Sequence, residues 1–112
     1  MKPLLALCVL VLAACNLGPP SRAADATGYI TTATETSTRI LVEANPGQQT
    51  GDKAAVTIDT STRIWSIKGT SATKTDAKSL AIGSKVRVWF DGPVATSYPV
   101  QGKAADIAID AP

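Results

Sequence analysis

Histidine is absent from this chain, and cysteine occurs only at Cys8 and Cys15. Without histidine, the usual general acid–base group near neutral pH is missing. Zinc and copper sites likewise lose the side chains they favour. Aromatic residues are scarce at 4%: Tyr29, Trp65, Trp89, Phe90 and Tyr98. No sign of charge dominates, since 11 Lys and Arg stand against 9 Asp and Glu. That balance is not one of a nucleic-acid-binding domain, so nucleic acid is not an expected partner. The remaining chemistry belongs to Asp, Glu, Ser, Thr, Tyr and Lys. Asp106 and Asp110 share a strand face but stand about 13 Å apart along a strand, too far for the roughly 5–9.5 Å of a glycosidase pair. Asp52 and Asp59 lack the spacing of a calcium loop. No catalytic residue, metal site or cofactor is expected, and the chain does not read as an enzyme.

The longest apolar run, Leu4 to Ala14, is 11 residues and follows the single positive side chain of Lys2. It has the length of a signal-peptide core and is too short for a membrane span of about 20 residues. Its end, Leu12-Ala13-Ala14-Cys15, resembles the bacterial lipobox. The resemblance implies cleavage between Ala14 and Cys15 and lipidation of the Cys15 thiol. Two or more acyl chains hold a protein stably on a membrane, where one does not. Residues 1–14 are then a lipoprotein signal peptide, 15–27 the lipidated cysteine with a flexible tether, and 28–112 the domain. Asn16 after the cysteine is not the Asp of an inner-membrane retention signal. The expected location is extracytoplasmic, on the outer membrane if the cell has two. An alternative is cleavage after Ala23, in Ser21-Arg22-Ala23, giving a soluble secreted protein; a third is an uncleaved core helix. Under either cleavage the domain has no free thiol and no disulfide.

The remaining 98 residues suffice for one small domain. Asn16 to Ala26, with Gly18, Pro19 and Pro20, reads as the tether. Strands are expected over Gly28–Glu35, Arg39–Glu43, Ala55–Asp59, Arg63–Ile67, Ser84–Asp91 and Ala104–Asp110. The fifth sets Val86, Val88 and Phe90 against Lys85, Arg87, Trp89 and Asp91; the last sets Ala105, Ile107 and Ile109 against Asp106 and Asp110. Asn45-Pro46-Gly47 and Asp91-Gly92-Pro93 are turns, Gly69 to Thr75 a polar loop, and Asp76 to Gly83 one helical turn closed by Gly83. Thr36-Ser37-Thr38-Arg39-Ile40 recurs as Thr60-Ser61-Thr62-Arg63-Ile64, 24 residues later. Two hairpin turns with the same side-chain hydrogen bonding explain the repeat; a duplication, or two loops presenting Arg39 and Arg63 at one rim, is the sharper alternative. The fold class is all-β, a small five- to six-stranded OB-like barrel, preferred to an Ig-like sandwich on strand count.

Leu80-x-x-Gly83-x-x-Val86-x-Val88-Trp89, then Gly92, then Ser97-Tyr98-Pro99-x-Gln101-x-x-Ala104-x-x-Ile107, resembles the YobA-like family of small bacterial lipoproteins. Gly28-x-Ile30 and Ile40-Leu41-Val42 fit the first hairpin of that pattern. The resemblance covers most of residues 28–109 and implies a small OB-type barrel behind a lipid anchor. The family's function is unassigned, so no chemistry is implied. The Thr-rich first strand and the short central region depart from the pattern.

Charge is segregated. Arg63, Lys68, Lys74, Lys78, Lys85 and Arg87 meet only Asp76 over residues 63–87, a net +5, while 22–62 and 88–112 are each −2. A candidate binding surface combines Trp89 and Trp65, as stacking rings, with Arg63, Lys85 and Arg87 toward an anionic partner. Solvated loop lysines and core tryptophans are the plainer account of the same residues, and Tyr98 before Pro99 reads as structural. The expected function is a non-catalytic, lipid-anchored envelope protein that contacts another envelope protein or an anionic polymer. An oligosaccharide-binding OB module is the alternative.

Overall fold

The computed structural model describes residues 18–47, 51–95 and 99–110. The expected signal peptide, the expected lipidation site at Cys15 with its neighbour Ala14, and Ser97 and Tyr98 lie outside the described residues.

Seven strands follow one another: β1 (Ala26–Ala33), β2 (Arg39–Glu43), β3 (Lys53–Thr57), β4 (Arg63–Lys68), β5 (Ser71–Thr75), β6 (Lys85–Phe90) and β7 (Val100–Asp110), with one 3-10 turn, Ala77–Ser79, before β6. They form one sheet in the order β3-β2-β1-β6-β7-β4-β5, and β3 also pairs with β7. That extra pairing closes β1, β2, β3, β7 and β6 into a five-stranded barrel, leaving β4 and β5 outside it. The expected all-β, OB-like barrel is therefore the fold.

The length of β7 makes this possible. One of its edges serves two parallel partners in succession, β3 along Val100–Lys103 and β4 along Asp106–Asp110. Its other edge pairs antiparallel with β6. Alternation of side chains fills the inside: Ile30, Ile40, Val42, Val56, Val86, Val88 and Ile107 are all buried there. Each such side chain contributes about 1.5–3 kcal/mol on burial. Leu80, just after the 3-10 turn, joins the same core.

Two local devices let so few residues close a barrel. The β6–β7 register shifts between Trp89, opposite Asp106, and Phe90, opposite Ala104, so Ala105 bulges out. The bulge bends the strand and puts Ala104, not the expected Ala105, in the core. At Gly28 a Cβ would lie 2.5 Å from the Glu43 carbonyl oxygen, so only glycine admits the β1–β2 approach.

Several boundaries differ from expectation. Residues 71–75 form β5, a hairpin partner of β4, rather than a loop. Their polar composition hid them because β5 lies at the sheet edge with no fully buried residue. β7 starts at Val100, β1 at Ala26 and β3 at Lys53. The helical turn is closed at Leu80, while Gly83 (φ 94°) belongs to the next turn. The Gly83 N–H donates to the Ile30 carbonyl at 2.8 Å.

Candidate functional site

The expected binding residues do come together, on the outer face of β4, β7 and β6. The register stacks Arg63, Asp106 and Trp89 in one row, Trp65, Ala108 and Arg87 in the next, and Ile67, Asp110 and Lys85 in the third. The Trp65 indole Nε1 donates to Asp106 Oδ2 at 2.9 Å, and Arg63 Nη2 donates to Asp106 Oδ1 at 2.9 Å. Arg87 forks onto Asp110 through Nε at 3.1 Å and Nη2 at 2.9 Å. The same guanidinium lies 5.6 Å from the Trp89 ring centre, within cation–π range.

This face is covered. The segment before β1 crosses it, and Trp89 Nε1 donates to the Arg22 carbonyl at 2.9 Å. Asp25 continues the crossing: its carboxylate accepts from the Phe90 N–H at 2.8 Å and from Arg22. Arg22, and then that N–H, hold the Asp25 carboxyl below its usual range. Ala24 from this strap, Ile67 and Ala72 pack on Trp65, Trp89 and Ala108 to make a second small core. Trp89 is 1% exposed and Trp65 5%. The expectation of an open stacking surface is thereby corrected: neither ring offers a face to a ligand. Arg63 and Arg87 are likewise held by acids 43 and 23 residues away in the chain. Lys68, Lys74, Lys78 and Lys85 form no ion pair among the described residues.

OB-type barrels generally bind ligands over strands 2 and 3 and the flanking loops. Here the outward positions of β2 and β3 are Arg39, Leu41, Glu43, Lys53, Ala55 and Thr57, with no aromatic residue among them. Glu43 takes a hydrogen bond from the Thr31 hydroxyl and an ion pair from Lys53 at 3.4 Å. Thr31 first, and Lys53 after it, hold the Glu43 carboxyl below its usual value. Lys103 bridges Asp59 at 3.1 Å and Asp91 at 3.3 Å. Hydrogen bonds from Ser61 and Lys103 bring Asp59 from 3.8 to about 2.

The two copies of the repeat converge on one groove, of about 540 Å³, lined by Thr36–Thr38, Ile58–Ile64 and Lys74–Ala77. The Ile58 N–H donates to the Thr38 carbonyl at 2.8 Å and ties the loops together. Their turn chemistry differs. In the first, the Thr34 hydroxyl accepts from the Thr38 and Arg39 N–H groups, and Ser37 takes φ 55°. In the second, the Asp59 carboxylate accepts from the Ser61 N–H and hydroxyl, and Thr62 donates to the Ala104 carbonyl at 2.7 Å. Only the first joins a hairpin, since β3 and β4 do not pair with each other but follow one another along β7. Arg63 lines the groove and Arg39 does not.

Sequence patterning placed Asp106 on a polar strand face and gave no sign that it anchors Trp65. That role needs a register across 41 residues, which local alternation does not carry. Among the described residues no cluster of metal-ligand side chains occurs, and no helix is long and apolar enough to cross a membrane. The family model described as a protein of unknown function, DUF3221, matches residues 27–109, from the second residue of β1 almost to the end of β7. No curated protein and no solved structure matches the chain.

Proposed function

The chain belongs to the DUF3221 family, and from that premise we propose that it is a non-catalytic, lipid-anchored interaction module of the bacterial cell envelope, akin to the YobA-like lipoproteins. The observation that carries the reading is the sequence Leu12-Ala13-Ala14-Cys15 at the end of the apolar run. The barrel supports it in two ways. Its best-placed carboxylates, Asp106, Asp110, Asp59 and Glu43, are each committed to structural ion pairs. A cut after Ala23 would also remove Arg22, whose carbonyl satisfies the buried indole of Trp89, so cleavage before Cys15 suits the fold better than the soluble alternative.

Metabolic labelling with a radioactive fatty acid tests the anchor. The wild-type chain takes up label and partitions with membranes; Cys15→Ala takes up none and accumulates at precursor size. A Cys15→Ala protein processed to the same size as wild type overturns the lipoprotein reading.

The repeat groove favours a second reading, a module for an oligosaccharide or an anionic envelope polymer. Hydroxyls from both copies face a shared space beside Arg63 and Lys74. Calorimetric titration with envelope glycans and teichoic-acid-type polymers checks it. Heat of binding that Lys74→Ala abolishes supports the groove, and the absence of heat across the panel removes it.

A further inference from the structure

We propose that the barrel docks on the membrane through the surface formed by Tyr29, Ile82, Lys68 and Lys85, with anionic phospholipid head groups as its partner. The proposal rests on the lipid anchor at Cys15 and adds the orientation of the domain that the anchor holds.

Two independent observations meet here. The first is chemical. Tyr29 at 38% and Ile82 at 67% are the exposed large hydrophobic residues among those described. Both line one shallow concavity, together with Lys68 and Lys85. Tyr29 pairs directly with Lys85 across β1 and β6, and Lys85 with Asp110 across β6 and β7. Among the described residues Asp110 is the one acid lining this concavity, and Arg87 already binds it at 2.9 Å. The two lysines form no ion pair among the described residues. An exposed aliphatic wedge, a tyrosine with an apolar body and polar tip, and two flanking ammonium groups are what a lipid–water interface accommodates.

The second is positional. A Cβ on Gly18 would lie 3.9 Å from the Ala72 Cβ. Ala72 pairs with Ile67, and Ile67 with Asp110, in the row that continues through Lys85 to Tyr29. The chain therefore reaches the barrel beside this surface. Cys15 precedes Gly18 by three residues, a span of at most about 11 Å even when extended. Acyl chains on Cys15 would thus hold the bilayer surface close to this part of the barrel. Part of the expected flexible tether, Asn16 to Ala26, is bound to the barrel, because Arg22 and Asp25 hydrogen-bond to Trp89 and Phe90.

Each lysine near an anionic surface favours docking by about fivefold, and the pair by about 30-fold. The test uses the mature lipidated protein in vesicles of phosphatidylcholine with and without phosphatidylglycerol, read by lysine acetylation and mass spectrometry. Lys68 and Lys85 are expected to be acetylated several-fold more slowly in the anionic vesicles than in neutral vesicles or detergent, with Lys78, on the 3-10 turn, unchanged. The doubly reversed variant, Lys68→Glu with Lys85→Glu, is expected to stay membrane-bound and to lose slowed acetylation of a lysine introduced as Ile82→Lys. Membrane-bound protein whose Lys68 and Lys85 react as fast as Lys78 overturns the docking surface and leaves the anchor standing. Equal protection in neutral vesicles overturns the anionic partner. Concentration-dependent protection in detergent points to a second copy of the chain and also overturns it. Failure of the lipidated-size protein to float with vesicles at all defeats the anchor instead.

Discussion

Asp106 is 1% exposed and takes two charge-assisted hydrogen bonds, from the Arg63 guanidinium and the Trp65 indole. Arg63 is half-exposed and can turn to water, whereas the Trp65 N–H cannot. Asp106→Ala is therefore expected to cost about 2–4 kcal/mol, and Asp106→Asn, which keeps an acceptor for the indole, about 1–2 kcal/mol. Urea denaturation of both variants checks the order; equal losses would place the cost in the ion pair instead. Asp59 makes a pH-dependent contribution of defined sign. Its carboxyl falls from 3.8 to about 2 in the folded state, so the folded chain binds fewer protons there than the unfolded one. Its stabilisation is complete above 3.8 and disappears as the pH drops to about 2. Melting temperatures recorded across that interval are expected to fall less steeply for Asp59→Asn than for the wild type. Lys103 shares this pair: Asp59 first and Asp91 next raise its pKa above the usual value, so on the alkaline side the stabilisation is lost as the ammonium deprotonates.

Among the elements, the β1–β2 hairpin has the least slack. A methyl on Gly28 would press into the Glu43 carbonyl and the Ala44 nitrogen, at 2.5 Å and 2.9 Å. Both are backbone atoms that cannot rotate away. Gly28→Ala is expected to cost about 2–3 kcal/mol and lower the melting temperature by roughly 10–20 °C. A loss within experimental error would mean that the strands separate more easily than their register implies. Some elements were legible from residues alone. β6 reads clearly because Val86 and Val88 alternate with Lys85 and Arg87, and inside and outside differ in polarity there. β5 was not legible: Ser71-Ala72-Thr73-Lys74-Thr75 has one weakly apolar residue, and its place comes from backbone pairing with β4. Nor was the strap. Arg22 to Asp25 carries no apolar periodicity, and its hold on the barrel runs through a main-chain carbonyl and one carboxylate.

For the whole molecule, one strand couples two cores. β7 supplies Ile107 to the barrel interior and Ala108 to the outer cluster of Trp65 and Trp89. Both tryptophans thus sit on the outside of the barrel, Trp89 on the barrel strand β6 and Trp65 on β4, which pairs along β7. Unfolding followed by tryptophan fluorescence and by far-ultraviolet circular dichroism is expected to give coincident transitions. An earlier fluorescence transition would mean that the strap and β4–β5 peel away before the barrel opens. The same coupling redistributes charge. Two of the six cations in the +5 segment are held by Asp106 and Asp110, so the charge seen by solvent rests on the lysines.

The amino-acid sequence by itself determined the all-β class, most strand positions and the alternation that defines the barrel interior, because these depend on residues close together in the chain. The tertiary structure alone decided that both tryptophans are covered, which cations are paired, and where residues 22–25 cross the barrel. Those depend on pairings such as Arg63 with Asp106, Trp89 with Arg22 and Ala72 with Ile67. The physical reason is that alternation assigns a side chain to a face of its strand, while what covers that face is set by closure of β3 onto β7 and by the strap laid across β6.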